Sequence, residues 1–388
     1  MKKHTYSTSN IKHNLVPYDV LIIGGGLAGL CNAIHLSKFG TKVLLIEKNE
    51  YPKHKVCGEY ISNEVLPYLE FLEIDPFNFG AVKIDNFQLS TTTNKLISVK
   101  LPLGGFGISR YQLDFILSEK AKENNVIILQ DTVIDVAFKE DLFLVETKNK
   151  QKFTSKICIG SFGKRSLLDV RMERNFIKKK SPYLGVKFHV KGSFPENLVA
   201  LHNFKGGYCG VSKVENNIVN VCYITTFLSF QKHKNIANFQ KNVIFKNHFL
   251  KEIFKNSTSV FEQPLSISQI SFETKKPIEN HVIMCGDSAG MIHPLCGNGM
   301  SMAIQSAQIA SKLILNYLKG NNTNRDQLEK SYITEWNTQF KWRLKAGHFI
   351  AMLFRNDKTA SLLLQVLKRI PFLLPIIIKQ THGKPIDN

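Results

Sequence analysis

The stretch Tyr18–Leu30, YDVLIIGGGLAGL, decides the fold. Its apolar run reads as a buried strand, Gly24 to Gly26 as a turn, and Leu27 as the start of a helix. The helix continues through CNAIHLSKFG and stops at Gly40, a residue suited to a left-handed C-cap. KVLLIEK, ending the unit at Lys48, is the next strand, so the whole is one βαβ unit. Gly24, Gly26 and Gly29 form G-x-G-x-x-G directly after the strand. The first glycine permits the tight turn, the second lets backbone approach a pyrophosphate, and the third allows close helix–strand packing. Glu47 ends the second strand, where a carboxylate accepts hydrogen bonds from ribose hydroxyls. Strand, glycines, helix and acid together predict a dinucleotide site.

Working outward, residues 83–105 read as strands and Ser109–Asn125 as an amphipathic helix. VIILQDTVIDVAF, LFLVETK and KICIG look like strands returning to the first sheet. From about 183 to 275 the pattern turns to alternating strands (YLGVKFHV, GYCGVSKV, NIVNVCYI), which predicts a mostly antiparallel sheet over a substrate cavity. HVIMCGD is again a short buried strand, with a helix from about Gly299, and the last seventy residues are helical, apolar and basic. The expected fold is α/β: a Rossmann-like cofactor domain from 18–82, 106–170 and 276–318, a substrate-domain sheet from 83–105 and 171–275, and a helical region over 319–388. Residues 1–17 read as a loose leader without a signal-peptide core.

The glycine motif does not choose between dinucleotides; VIMCGDSAGMIHPLCGNGMSMAIQSAQIAS, Val282–Ser311, does. Here the chain resembles the flavoprotein superfamily of aromatic hydroxylases, flavin halogenases and geranylgeranyl reductases. The resemblance implies a glutathione-reductase-type FAD domain in which Asp287 holds the ribitol chain. Pro294, Gly297, Gly299 and Met300 then match the turn and helix start facing the flavin pyrimidine. A helix N-terminus there stabilises negative charge on a reduced ring. KVCGEYIS, Lys55–Ser62, looks like the C-G-E segment of the geranylgeranyl reductase group, and ISRYQLDFIL like the R-x-x-L-D helix start. Cys57, Gly58 and Arg110 would carry those roles, and Ala28, Lys48 and Val133 complete the cofactor-binding set. Gly290 also suits the reductase group. Two departures stand out. The middle motif reads GSFGKRS, with Phe162 where an Asp often helps a nicotinamide share the site, and the halogenase W-x-W-x-I-P motif is missing. Direct reduction by NAD(P)H is therefore in doubt, and a reduced electron carrier is the alternative donor.

Beyond the flavin, His293 is a candidate proton donor, although a loop-capping histidine is the commoner case. Cys57 is either a flavin neighbour or a small filler. Tyr208 either orients a substrate or packs the core.

Seven scattered cysteines without a C-x-x-C pair argue against a disulfide framework and a metal site, and for a reducing cytoplasm. The 51 Lys and Arg against 31 Asp and Glu form no aromatic-interleaved patch, so nucleic acid is not expected. No apolar run approaches the roughly 18 residues of a membrane span. The stretch His348–Lys379 combines apolar faces with Arg355, Lys368, Arg369 and Lys379. It either closes the substrate cavity or lies peripherally on a membrane. The resemblance implies hydride transfer from reduced flavin to a C=C bond of a hydrophobic prenyl- or polyene-type substrate. The rivals are a flavin monooxygenase of an aromatic or polyketide substrate, working through a flavin C4a-hydroperoxide, and an electron-relay flavoprotein.

Overall fold

The structure, a computed structural model, describes residues 17–179, 181–321, 324–355, 357–370 and 372–387. All but the last residue of the expected leader lie outside these. In chain order the strands are β1 (Tyr18–Ile23), β2 (Val43–Glu47), β3 (Tyr60–Ser62), β4 (Val82–Ser90), β5 (Leu96–Gly107), β6 (Ile127–Gln130), β7 (Val133–Lys139), β8 (Leu142–Thr147), β9 (Lys152–Gly160), β10 (Tyr183–Gly192), β11 (Leu198–Phe204), β12 (Gly207–Lys213), β13 (Ile218–Thr226), β14 (Ser257–Ser259), β15 (Leu265–Ile270), β16 (Ile278–Glu279) and β17 (Val282–Met284). The helices are α1 (Leu27–Lys38), α2 (Leu66–Phe71), α3 (Arg110–Glu123), α4 (Leu167–Arg171), α5 (Phe227–Gln231), α6 (Ile236–Asn242), α7 (His248–Lys255), α8 (Gly299–Leu318), α9 (Arg325–Arg355), α10 (Asp357–Arg369) and α11 (Leu373–Thr381).

Two sheets organise the molecule. The first runs β16-β17-β9-β1-β2-β6, parallel from β17 to β6, with β7 and β8 attached antiparallel at β9. Val20, Leu21 and Ile22 of its central strand are fully buried, as parallel strands covered on both faces require. Helices α1 and α8 pack against one another beside it, tied where Ser311 Oγ donates to Asn32 Oδ1 at 2.9 Å. The second sheet runs β14-β10-β13-β12-β11-β4-β5-β3, with β15 on β10, and only its β4–β11 pair is parallel.

Two expectations need correction. The stretch 183–275 is not all strand, because α5, α6 and α7 intervene between β13 and β14. Thr226, Asn235 and Asn247 cap their N-termini, and Phe239, Ile244 and Leu250 cover the outer sheet face against Val186, Phe188 and Val221. The sheet also takes more from the first part of the chain than 83–105. β4 begins at Val82, β5 reaches Gly107, and Tyr60–Ser62 pairs with Gly105–Gly107. The C-G-E segment therefore runs from one layer into the other.

Candidate active site

A cavity of about 1080 Å³ lies between the two sheets and under α9–α11. One ligand pocket usually occupies roughly 300–1,000 Å³, so this one has room for a cofactor and a substrate. The β1–α1 turn opens its first end. Gly24 has φ +100°, and a Cβ there would run into the Ser161–Phe162 backbone. Gly29 does not line the cavity; a side chain on it would strike the Gly24 carbonyl, so it serves helix–strand packing. Gly26 lines the cavity, and the nearest atom to its missing Cβ is Arg110 Nη2 at 3.6 Å. Ala28, Glu47 and Lys48 lie along the same wall. Glu47 accepts from the Gly25 amide at 2.7 Å and from the backbone and side chain of Asn49 at 2.9 and 2.7 Å. Of the roughly four acceptor sites of a carboxylate this leaves one. Arg110 forks onto Asp114 with both contacts at 2.8 Å, and Lys55 adds a third at 2.7 Å. Burial would raise the Asp114 carboxyl, but these cations outweigh it and hold the pKa below the ordinary value.

The second wall comes from 285–303. Asp287, Pro294, Gly297, Gly299 and Met300 all line the cavity, as do Cys57 and Gly58, with Cys57 Sγ 3.5 Å from Met300 Sδ. Lys275 binds this wall to the loop carrying Phe162. Its Nζ donates to the Lys164 carbonyl at 2.9 Å and the Asp287 carbonyl at 2.6 Å, and burial lowers its pKa to about 8. Phe162, Lys164 and Arg165 also face the cavity.

Besides Gly29, two candidates lie off the cavity lining. Val133 is buried in the core at the start of β7 and does not line the cavity. His293 is not among the lining residues either. Its Nδ1 accepts from the Leu295 amide at 3.4 Å and so caps a turn, and its ring sits among Phe272, Tyr208 and Tyr183 at centroid distances of 4.5, 5.8 and 6.3 Å. Burial in this aromatic cage, helped by His348, lowers its pKa to about 4, so at neutral pH the ring is neutral and not an imidazolium acid. Tyr208 does line the cavity, with burial pushing its hydroxyl pKa well up.

The sequence reading passed over a buried ionic cluster. Glu59, Lys187 and His189 are 0, 0 and 4 % exposed. Glu59 accepts from Lys187 Nζ, from the Arg110 amide at 2.7 Å and pairs with His189 Nε2 at 2.7 Å. Burial would raise the Glu59 pKa, but Lys187 and His189 reverse this and lower it. Asn220 Nδ2 donates to the Cys57 and Gly58 carbonyls at 3.2 and 2.8 Å. The substrate sheet thus clamps the C-G-E segment from beneath. His382 was also missed. It lines the cavity, donates Nδ1–H to the Ile378 carbonyl at 2.9 Å, and keeps a buried Nε2 without a partner among the described residues.

The remaining wall is apolar. Phe87, Leu89, Leu201 and Ile224 come from the sheet, and Phe354, Leu363, Leu367 and Leu374 from the C-terminal helices. Those helices therefore close the cavity, and among the described residues no helix is long and apolar enough to cross a membrane.

A family model described as FAD-dependent oxidoreductase matches residues 19–56, and one described as squalene epoxidase matches residues 212–359. With the fold and cavity above, the chain is an FAD-dependent oxidoreductase. The resemblance to the geranylgeranyl reductases holds among its relatives. The digeranylgeranylglycerophospholipid reductase of Methanococcus vannielii is 25% identical over 374 residues, covering 90% of this chain and 87% of that one. The enzyme of the same name from Methanosarcina acetivorans is 24% identical over 86% of this chain and 83% of its own. Among solved structures, the flavin-dependent brominase Bmp2 superposes with a TM-score of 0.79 at 18% identity, covering 95% of this chain and 94% of that one. Pseudomonas aeruginosa PqsL follows at 0.72 and 15%, over 88% and 98%. At such identities the structures speak for the fold.

Proposed function

We propose that the chain reduces C=C bonds of a long apolar, prenyl- or polyene-type substrate. The carrying observation is the continuity of the cavity, from the glycine turn and Asp287 into a wall of aliphatic and aromatic side chains. Reductase relatives that cover most of the chain support the same reading.

The residues fit FAD. Gly24 and Gly26 leave backbone open to a pyrophosphate at the start of α1, Glu47 keeps an acceptor for a ribose hydroxyl, and Asp287 faces the cavity for the ribitol chain. Gly297 and Gly299 bring the N-terminus of α8 to the same wall, where its dipole favours a reduced, anionic ring. When bound, FAD supplies the hydride. The protein's part is to orient the reactants and exclude water. The Glu59 cluster holds the Cys57–Gly58 segment, and the apolar wall keeps a hydrocarbon chain dry. Phe162 on the cavity wall supports a reduced carrier rather than NAD(P)H as donor.

The test is anaerobic. The flavin is photoreduced, mixed with a prenyl or polyene compound under nitrogen, and followed by absorbance, with oxygen and NAD(P)H as comparison arms. Reoxidation by the alkene with a saturated product is expected. Fast reaction with oxygen that leaves one oxygen atom in the product would replace the reading by monooxygenase. No reaction with either would leave electron relay.

A further inference from the structure

We infer that α9–α11 form a docking surface for an anionic lipid bilayer and that the substrate enters the cavity from it. This names the source of the substrate in the reading above and rests on that reading for its purpose, but the surface is argued from its own residues. Met352, Leu362, Val366, Ile370, Phe372 and Ile376 are 55, 62, 40, 36, 66 and 49 % exposed. None of the six lines the cavity, so their exposure is to the outside. They fall at helical spacing: Leu362 and Val366 lie four apart on α10 with Ile370 just past its end, and Phe372, the N-cap of α11, stands four before Ile376. Each helix thus shows one apolar stripe outward while Phe354, Leu363, Leu367 and Leu374 turn inward onto the cavity.

Such a run of exposed apolar side chains is costly in water and marks an interaction site. Charge decides what covers it. Residues 336–386 contain nine Lys and Arg and a single acid, Asp357. Lys341, Lys345, Lys368, Arg369 and Lys379 are exposed among the stripes. A second copy of this chain would bring the same cations against themselves. An anionic bilayer matches both features, because the apolar side chains enter the headgroup boundary while the cations meet lipid phosphates. The same helices are the partition between this surface and the cavity. Trp342 and Phe349, on the α9 stripe that continues to Met352, line the cavity, and Trp342 Nε1 donates to Gln380 Oε1 at 3.0 Å, joining α9 to α11. A lipid chain on the outer stripes is therefore one helix away from the apolar wall.

The test is flotation of the full chain, loaded with FAD, on vesicles of phosphatidylcholine alone or mixed with phosphatidylglycerol. The comparison variant is Leu362→Ser/Phe372→Ser/Ile376→Ser, and Lys368→Glu/Arg369→Glu is the charge variant. Expected are binding to the anionic vesicles that weakens with salt and a loss of affinity of about tenfold or more in the apolar variant. The charge variant should lose most of the preference for phosphatidylglycerol. Circular dichroism and flavin content should match the wild type in both. Absence of binding to anionic vesicles, or equal binding by the apolar variant, overturns the inference. So does a concentration-dependent dimer that the apolar variant abolishes, which would make a second copy the occupant. The readout involves no turnover, so the lipid surface and the reductase reading can each fail alone.

Discussion

Replacing Glu59 by Gln should destabilise the protein by about 3–5 kcal/mol at neutral pH, the cost of breaking a buried ion pair from one side. The change keeps the volume and removes the charge. Lys187, with no exposed surface, would lose its counter-ion and keep only neutral acceptors, the introduced amide oxygen and the Lys55 carbonyl at 3.2 Å. The sign with pH follows from Glu59: its lowered pKa contributes stability that is present above the unfolded value and is lost as pH falls through the folded one, so the deficit of the variant should shrink toward acid pH. Urea denaturation followed by circular dichroism, at neutral and at acid pH, measures this. Glu59→Gln/Lys187→Met should recover most of the loss, because neither charge is then buried. A single variant within about 1 kcal/mol of wild type, or a double variant no better than the single, would refute the argument.

Asp287→Ala should lower flavin occupancy by about 1.5–3 kcal/mol in binding free energy, read by titrating the apoprotein with FAD; undiminished affinity would remove Asp287 from the site. Gly290→Ala should cost about 1–3 kcal/mol in thermal unfolding, since its Cβ would stand 3.0 Å from two ring carbons of the buried Trp336. His293→Ala should leave the rate of alkene-driven flavin reoxidation unchanged, because the ring is outside the cavity lining; a selective loss of that step would restore it as the proton donor.

Local signals made the fold legible. The strand, glycines and helix of Tyr18–Leu30 repeat at Val282–Ser311, and each sets its own geometry within a few residues. Gly24 takes a positive φ, Gly40 closes α1 with its amide on the Ser37 carbonyl, and Gly297 precedes α8 in a left-handed turn. The helices α5–α7 were missed because they are five to eight residues long and sit among strands, below the length at which a helical period stands out. His293 and Val133 lie off the cavity lining for another reason. A motif gives the position of a residue along the chain but not the direction of its side chain, and one turn sends His293 into an aromatic cage while Pro294 faces the cavity.

The ionic cluster depended on contacts 128 and 130 residues apart, beyond any local pattern, yet its partner strand carried a signal. In YLGVKFHV, Lys187 and His189 alternate with Val186, Phe188 and Val190. Period two puts the two basic side chains on one face and the apolar residues on the other. The apolar face is the one α5–α7 cover, so the polar face must look toward the cofactor layer. Register extends this across the sheet. His189 pairs with Asn220, Lys187 with Cys222 and Gly185 with Ile224, and Ile224 in turn with Tyr208. Along one face the side chains thus pass from the ions and amide that hold Glu59 and the Cys57–Gly58 carbonyls to the small and apolar residues of the substrate wall. That gradient sets the direction of the cavity. In the reductase proposed above, this places the reacting end of the substrate near Cys222, where clamp and wall meet, and its hydrocarbon toward Ile224, Tyr208 and the C-terminal helices.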